Sequence, residues 1–246
     1  MYAQAYFDYD SKKSGGVTMS HLRFGKKPIK STYLIHKANF VACHNPSYVN
    51  KYNMVQELVD GGTFLLNCAW DMEGLEKHLP GQVKAFIANH NIKFYTIDGV
   101  KIGIETGMGP TRINTILQSA FFKLTGIIPE DQAIDLMKAA AKATYGRKGD
   151  DVVQKNWAAI DAGAKQVVEI QVPESWKDAE DEGLHMTHAT EGRQDVIDFV
   201  NNIQAKVNAQ EGNSLPVSAF KDYVDGTTPS GSSAYEKRGI AVNIPV

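Results

Sequence analysis

Three short apolar runs, separated by longer segments with helical spacing, constrain the fold of this 246-residue chain more than any other feature. The runs cover residues 39–43, 63–67 and 92–97, and each is followed by a turn. Strands that are apolar throughout are buried on both faces, and when helical crossovers join them they pair in parallel. The pattern therefore predicts an α/β fold in which a mostly parallel sheet is flanked by helices.

The segments between and after these runs supply the helices. Residues 47–59 carry aromatic and aliphatic side chains at helical spacing and run into Asp60-Gly61-Gly62, a typical helix stop. This segment is predicted as a helix. Further helices are predicted over 71–79, 82–89, 112–124, 130–145, 150–168 and 194–208, and further strands over 3–9 and 17–24.

Composition excludes several classes of protein. A hydrophobic fraction of 43% with 22% charged residues is typical of a soluble globular protein, and no apolar stretch reaches bilayer length. The first residues lack the features of a secretory signal, so we expect a cytoplasmic protein that does not bind a membrane. Cys43 and Cys68 each end an apolar run, which predicts small buried residues and no metal site built from this chain alone.

Charge is segregated near the start of the chain. Between Ser11 and Gln56 there is no Asp or Glu, although the whole chain has a net charge of −2. A field of one sign collects counter-ions, and hydroxyls, ammonium groups and glycines in one turn suit a phosphate. A solvated basic face with a flexible turn is the alternative explanation of the pattern. The cations in this segment are Lys12, Lys13, Arg23, Lys26, Lys27, Lys30, Lys37 and Lys51.

Other candidate sites are weaker. Residues 103–109 hold three glycines, predicted as a loop before a helix that opens near Arg112, and such a junction can bind an anion. Asn114 lies in the first turn of that helix, where it caps the helix or contacts a ligand. His185 and His188 form a close pair without a third ligand. No catalytic motif and no nucleic-acid-binding module is present, so neither a catalytic residue nor a nucleic-acid partner is predicted.

Several motifs resemble those of the pyruvate:ferredoxin (flavodoxin) oxidoreductases. The most specific is Tyr-Asp-Ser-Lys-Lys-Ser-Gly-Gly-Val-Thr at residues 9–18. Near the other end, residues 229–231 and 235–241 resemble the Glu-Lys-Arg segment that follows the gamma-type domain of these enzymes. The remaining similar motifs lie at residues 20–25, 40–44, 112–115 and 120–126.

The resemblance implies a function for the whole enzyme. These oxidoreductases convert pyruvate and coenzyme A to acetyl-CoA and CO2, with thiamine diphosphate, Mg²⁺ and [4Fe–4S] clusters, and pass electrons to ferredoxin or flavodoxin. This chain resembles the gamma-type part, which helps to bind coenzyme A and carries no thiamine or iron–sulfur site. The resemblance implies that its partners are the remaining domains of the enzyme, which is expected to be a homodimer, and that the chain alone is inactive.

The resemblance also assigns residues to coenzyme A. Lys12 and Lys13 are expected to bind phosphate groups, while Ser11 and the backbone of Gly15 and Gly16 shape the turn. Arg112 and Asn114 are expected to approach from the start of the following helix, although Arg112 also suits an ion pair with a neighbouring domain.

The domain organisation is predicted in three parts. Residues 1–172 are expected to form a Rossmann-like gamma-type domain that lacks its first βα unit, so a fragment is expected. Residues 173–213 are predicted as a linker with one helix, and residues 214–246 as the start of the Glu-Lys-Arg domain. Two alternatives stay open: an oxidoreductase for another 2-oxo acid, and a stand-alone protein that binds a nucleotide or another polyanion.

Overall fold

Two sheets contain the strands of the computed structural model, which describes residues 1–10, 16–180 and 183–236. The strands are β1 (Tyr2–Tyr9), β2 (Thr18–Gly25), β3 (Ala38–Cys43), β4 (Leu58–Asn67), β5 (Lys93–Ile97) and β6 (Val168–Ile170). The larger sheet has the order β3-β4-β5-β6. Strands β3, β4 and β5 are parallel, and β6 is antiparallel to β5. The prediction of a mostly parallel sheet is confirmed.

Helices α1 (Met72–His78) and α2 (Gly81–Asn89) cover one face of this sheet. Side chains alternate along β4, so Phe64 and Leu66 point to this face and pack with Phe94 of β5. The rings of Phe64 and Phe94 are stacked with 5.5 Å between their centroids. All three side chains are buried, and this face forms the largest part of the core.

The helices that follow β5 are α3 (Gly99–Glu105), α4 (Asn114–Thr125), α5 (Glu130–Tyr145) and α6 (Asp150–Lys165). The opposite face of the sheet is covered by α3, α4 and α6, and α5 packs on α4 and α6. Leu65 of β4 and Ile116 of α4 are fully buried in this layer. Helices α4 and α6 cross closely at Gly163, where an added Cβ would lie 2.4 Å from the Ile116 carbonyl oxygen. The crossing therefore requires glycine at position 163.

Strands β1 and β2 form an antiparallel hairpin separate from the larger sheet. Its pairing runs from Tyr2 opposite Gly25 to Tyr9 opposite Thr18. The base of the hairpin contacts the helical layer, where the rings of Phe24 and Phe121 lie 5.9 Å apart. The far end of the hairpin is about 20 Å from this contact at the usual rise of a strand.

The chain after β6 returns to the sheet before it forms its last helix. A 3-10 turn at Glu174–Asp178 buries Trp176 against the first face, whereas its acidic residues Glu174 and Asp178 are exposed. Helix α7 (Gln194–Phe199) continues through a π turn at Val200–Gln204 into α8 (Ala205–Asn208), so the predicted helix over 194–208 is confirmed. The predicted domain boundaries remain predictions.

The helix predicted over residues 47–59 is wrong. A 3-10 turn at Pro46–Tyr48 is followed by turns, and β4 begins at Leu58. Gly61 has a φ of +70° and lies at an irregularity in the pairing of β3 with β4. A glycine in the left-handed region suits a β-bulge as well as a helix end, which explains the false stop signal. Strand β6 was also missed, because the helix predicted to residue 168 ends at Lys165.

Candidate functional site at the carboxyl edge of the sheet

Asn67, the last residue of β4, joins the carboxyl ends of three parallel strands. Its Nδ2 donates a hydrogen bond to the carbonyl oxygen of His44, 2.8 Å away, just after β3. Its Oδ1 accepts a hydrogen bond of 2.9 Å from the backbone N–H of Gly99, which follows β5. A Cβ on Gly99 would lie 3.0 Å from this oxygen, so glycine permits the close approach. Because Asn67 is buried, both bonds are shielded from water.

Two thiols lie beside this cluster, and both are protonated. Cys43 ends β3, and burial raises the pKa of its thiol to about 12. Burial also raises the pKa of Cys68, and the carboxylate of Asp98 adds to this effect. Since the thiolate is the nucleophile and the metal ligand, neither residue is reactive at neutral pH. The prediction of small buried cysteines at strand ends is confirmed.

His44 and Asp98 complete the polar residues of this edge. Although the His44 residue is exposed, desolvation by the surrounding chain lowers the pKa of its imidazole. The ring is therefore neutral at pH 7. The Asp98 side chain accepts a 2.9 Å hydrogen bond from the backbone N–H of Lys101 and caps α3. The edge thus presents a neutral ring and a carboxylate that is already hydrogen bonded.

Helix α4 begins at the same edge. Ile113, which precedes the helix, has its Cβ 3.4 Å from the position that a Cβ on Gly99 would take. Arg112 and Asn114 flank Ile113 and are exposed. Neither side chain has a hydrogen bond or ion pair with the described residues, and no side chain caps the N-terminus of α4. Two of the predicted coenzyme A residues therefore lie free beside the strand ends.

The glycine-rich stretch over residues 103–109 is the predicted loop only in part, because α3 extends to Glu105 and residues 106–109 follow as turns and irregular chain before α4. Gly103 lies inside α3, and a Cβ there would meet the Gly109 carbonyl oxygen at 2.5 Å. The Gly109 N–H donates a 2.9 Å hydrogen bond to the Gly103 carbonyl. The two glycines pack against each other, so this stretch offers no cradle for an anion. The spacing of the glycines alone does not distinguish an open anion-binding loop from two glycines packed against each other.

The predicted phosphate-binding turn is described only at its last residue. Ser11, Lys12, Lys13 and Gly15 lie outside the described residues. A Cβ on Gly16 would be 2.5 Å from the Asp10 Cβ, so the hairpin requires glycine at position 16. The Asp10 N–H donates a 3.1 Å hydrogen bond to the Val17 carbonyl, which closes the hairpin.

Sequence reasoning missed Asn67, His44 and Asp98. The available signal was their position, since each lies at the end of a predicted strand or directly after it. In open α/β sheets, ligands bind outside the carboxyl ends of the strands. Within residues 1–10, 16–180 and 183–236, no three His, Cys, Asp or Glu side chains are grouped for a metal ion. Every helix in those ranges is too short or too polar to cross a bilayer.

A mostly parallel sheet with helices on both faces defines the α/β class of folds. The family described as "Pyruvate ferredoxin/flavodoxin oxidoreductase" matches residues 1–166, and one described as "Domain of unknown function" matches residues 187–241. Because the first match covers more than half of the 246 residues, the chain belongs to the pyruvate ferredoxin/flavodoxin oxidoreductase family. The resemblance noted in the sequence is thereby confirmed.

Full-length relatives are much longer than this chain. The pyruvate-flavodoxin oxidoreductase of Enterobacter agglomerans is 51% identical over 246 residues, which are 100% of this chain and 20% of the relative. The pyruvate:ferredoxin oxidoreductase of Moorella thermoacetica is also 51% identical, over 100% of this chain and 20% of its own length. The chain therefore spans about a fifth of the curated relatives that it matches.

A solved structure supports the fold. The pyruvate oxidoreductase subunit PORC of Thermotoga maritima superimposes with a TM-score of 0.54 over 69% of this chain and 82% of its own. The two sequences are 18% identical. This similarity shows a common α/β fold.

Proposed function

We propose that this chain is the coenzyme A-binding part of an oxidoreductase that converts pyruvate and coenzyme A to acetyl-CoA and CO2. The electrons pass to ferredoxin or flavodoxin. The observation that carries this proposal is the 51% identity, over the whole chain, to a pyruvate-flavodoxin and a pyruvate:ferredoxin oxidoreductase. The remaining domains of the same enzyme are the proposed partners, and the proposed enzyme is a homodimer.

The charge pattern supports a role in binding coenzyme A, whose phosphates are anionic. Lys12 and Lys13 supply two point charges in a segment without acids, and a lysine ammonium suits a phosphate because it offers three donors. Ser11 adds a hydroxyl donor, and Gly15 and Gly16 let the backbone N–H groups approach the anion.

Arg112 and Asn114 support the same role from the strand ends. Both are exposed, and the N–H groups at the start of α4 have no capping side chain. A guanidinium binds a phosphate with two parallel hydrogen bonds, and a helix N-terminus favours negative charge. The neutral His44 and the protonated thiols nearby add neither a nucleophile nor a competing positive charge. We assign this segment a role in binding and none in bond making.

The residues of this chain do not fit the redox cofactors of the proposed enzyme. A [4Fe–4S] cluster is held by four cysteine thiolates, whereas this chain has two cysteines. Both are buried, and burial opposes their ionisation. We therefore assign the clusters to other parts of the enzyme, together with Mg²⁺ and the thiamine diphosphate that supports the decarboxylation chemistry.

Steady-state kinetics of the full-length enzyme test the role of the turn. Lys12→Ala combined with Lys13→Ala removes two phosphate contacts, and we expect the KM for coenzyme A to rise about tenfold or more, since each such contact contributes about 1.5–3 kcal/mol. The KM for pyruvate is expected to stay unchanged. Lys26→Ala with Lys27→Ala is the matched control, because these adjacent lysines are exposed in the same acid-free segment. Equal KM values for coenzyme A in both double variants and the parent enzyme would remove the turn from the site.

A further inference from the structure

Gly99 fills a narrow gap between the end of β4 and the start of α4. It is buried, and its φ lies outside the left-handed region, so glycine is needed here for space and not for backbone conformation. A Cβ on Gly99 would lie 3.0 Å from Oδ1 of Asn67 on one side. On the other side it would lie 3.4 Å from Cβ and 3.6 Å from Cγ2 of Ile113. The absence of a side chain at Gly99 therefore sets the spacing between Asn67 and Ile113.

The two sides of this gap differ in how firmly they are held. Asn67 is buried, and its side-chain amide is hydrogen bonded both to the chain after β3 and to the chain after β5. Ile113 is only partly buried, and it follows a stretch of turns and irregular chain at residues 106–112. A side chain added at position 99 would therefore displace Ile113 and leave Asn67 in place.

The position of Ile113 determines where its two neighbours in the chain lie. Consecutive Cα atoms are about 3.8 Å apart across a trans peptide, so Arg112 and Asn114 move with Ile113. The Ile113 carbonyl also accepts a 3.0 Å hydrogen bond from the N–H of Leu117, which ties it to the first turn of α4. Within the described part of the chain, the exposed side chains of Arg112 and Asn114 have no hydrogen bond or ion pair of their own. Their placement therefore depends on the packing of Ile113 against Gly99.

We propose that Gly99 and Ile113 are positioning residues, which set the place from which Arg112 and Asn114 reach coenzyme A. This inference rests on the proposed function, and it does not require either positioning residue to touch the ligand. A guanidinium binds a phosphate through two parallel hydrogen bonds only in a narrow geometry, so a shift of a few tenths of an ångström weakens the contact. The spacing at Gly99 thus controls the affinity for coenzyme A and not the chemistry of pyruvate.

Overfilling and emptying the gap in the full-length enzyme test the proposal. Gly99→Ala adds a Cβ to the gap, and Ile113→Ala removes the Cγ2 atom that lies beside it. We expect each variant to raise the KM for coenzyme A by about three- to tenfold, with the KM for pyruvate unchanged and a change in kcat below about twofold. Gly146→Ala is the matched control, because a Cβ there meets nothing within 4 Å and the φ of −55° suits alanine.

Two further readouts separate positioning from a general loss of structure. Ile113→Val keeps both Cβ and Cγ2, so we expect its KM for coenzyme A to lie closer to that of the parent enzyme than the KM of Ile113→Ala does. In an enzyme that already carries Arg112→Ala and Asn114→Ala, Gly99→Ala is expected to raise this KM no further, because the groups that it displaces are absent. A general loss of structure would instead add to the effect of the double variant.

The possible results distinguish a failure of this proposal from a failure of the proposed function. If Arg112→Ala with Asn114→Ala raises the KM for coenzyme A while Gly99→Ala and Ile113→Ala leave it unchanged, the ligand is bound as proposed and only the positioning role is overturned. An equal rise on Gly99→Ala in the parent enzyme and in the double variant would overturn the positioning role as well. If the double variant itself leaves this KM unchanged, the proposed role of Arg112 and Asn114 fails, and the positioning role fails with it.

Discussion

The larger sheet and the β1–β2 hairpin are built from similar residues but bury them differently. Along β4, consecutive residues Phe64, Leu65 and Leu66 are all fully buried because helices cover both faces. Along β1, Tyr6 and Phe7 are adjacent, and both are exposed. Aromatic and aliphatic content therefore identifies strands in both regions, whereas the degree of burial depends on which layers lie over them.

The difference shows where the stability of the described residues resides. Buried apolar area is the main favourable contribution to folding, so the larger sheet with its two helical layers holds most of it. The hairpin contributes little by itself, since every side chain on one of its faces belongs to an exposed residue. These residues are Ala3, Ala5, Phe7, Tyr9, Thr18, Ser20, Leu22 and Phe24. A surface that adds little to stability and still displays large apolar side chains is typical of an interface.

Matched leucine substitutions give the largest expected effect. Leu66→Ala removes a side chain that has no exposed surface in β4, and we expect it to lower the free energy of unfolding by about 2–5 kcal/mol. Leu22→Ala makes the same chemical change in β2 of the hairpin, where 45% of the residue is exposed, and should cost below about 1 kcal/mol. Urea denaturation of the 246-residue chain measures both values. Similar losses would show that the hairpin is as well packed as the sheet.

Most strands and helices of the larger sheet and its two layers were predictable from the sequence, but not all. The apolar runs at 39–43, 63–67 and 92–97 predicted β3, β4 and β5, because a strand that is buried on both faces has no polar alternation to obscure it. The helix over 130–145 was predicted with its observed bounds. The helix prediction over residues 47–59 failed because the buried Val49 and Val55 lie in irregular chain, where apolar side chains at helical spacing do not indicate a helix.

The site was less predictable than the fold. Asn67 bonds His44 and Gly99, which are 23 and 32 residues away, so no local pattern signals the contact. Asn114 was noted from its position at the start of a helix, and the resemblance assigned both it and Arg112 to coenzyme A. The fold brings these two residues beside the strand ends by packing Ile113 against Gly99. Side-chain type and spacing predict elements, whereas a cluster at strand ends depends on the order in which the strands pair.

Replacing Asn67 measures how much the strand-end cluster stabilises the sheet. Asn67→Ala leaves the His44 carbonyl and the Gly99 N–H without their partner in a buried setting, which should cost about 1–3 kcal/mol. Asn89→Ala is the control, because its side chain donates one 3.0 Å bond to the Lys177 carbonyl in an exposed position. We expect a cost below about 0.5 kcal/mol for this variant in the same urea experiment. An equal effect of the two changes would mean that the buried bonds add nothing beyond a surface contact.

The smallest expected effect concerns Glu76, which holds the chain after β6 against the sheet. Its Oε2 accepts a 2.6 Å hydrogen bond from Trp176 Nε1, and its Oε1 lies 2.9 Å from the Lys84 ammonium. The hydrogen bond from Lys84, followed by that from Trp176, lowers the pKa of Glu76 in the folded protein. The resulting stabilisation is fully present when the pH is above the pKa of a glutamate in the unfolded chain, about 4.3. It is lost as the pH falls through the lower pKa that Glu76 has in the folded protein.

Glu76→Gln removes this pH dependence, because the amide keeps an oxygen for Trp176 and has no charge to titrate. We expect the parent chain to be more stable than the variant near pH 6 and the difference to shrink as pH falls below about 4.3. The effect is modest because 58% of the Glu76 side chain is exposed, so water screens the ion pair. Glu73→Gln on the same helix is the control, since Glu73 has no ion pair with the described residues. Urea midpoints at several pH values give the comparison, and parallel curves for parent and Glu76→Gln would show that Trp176 holds this segment by apolar packing alone.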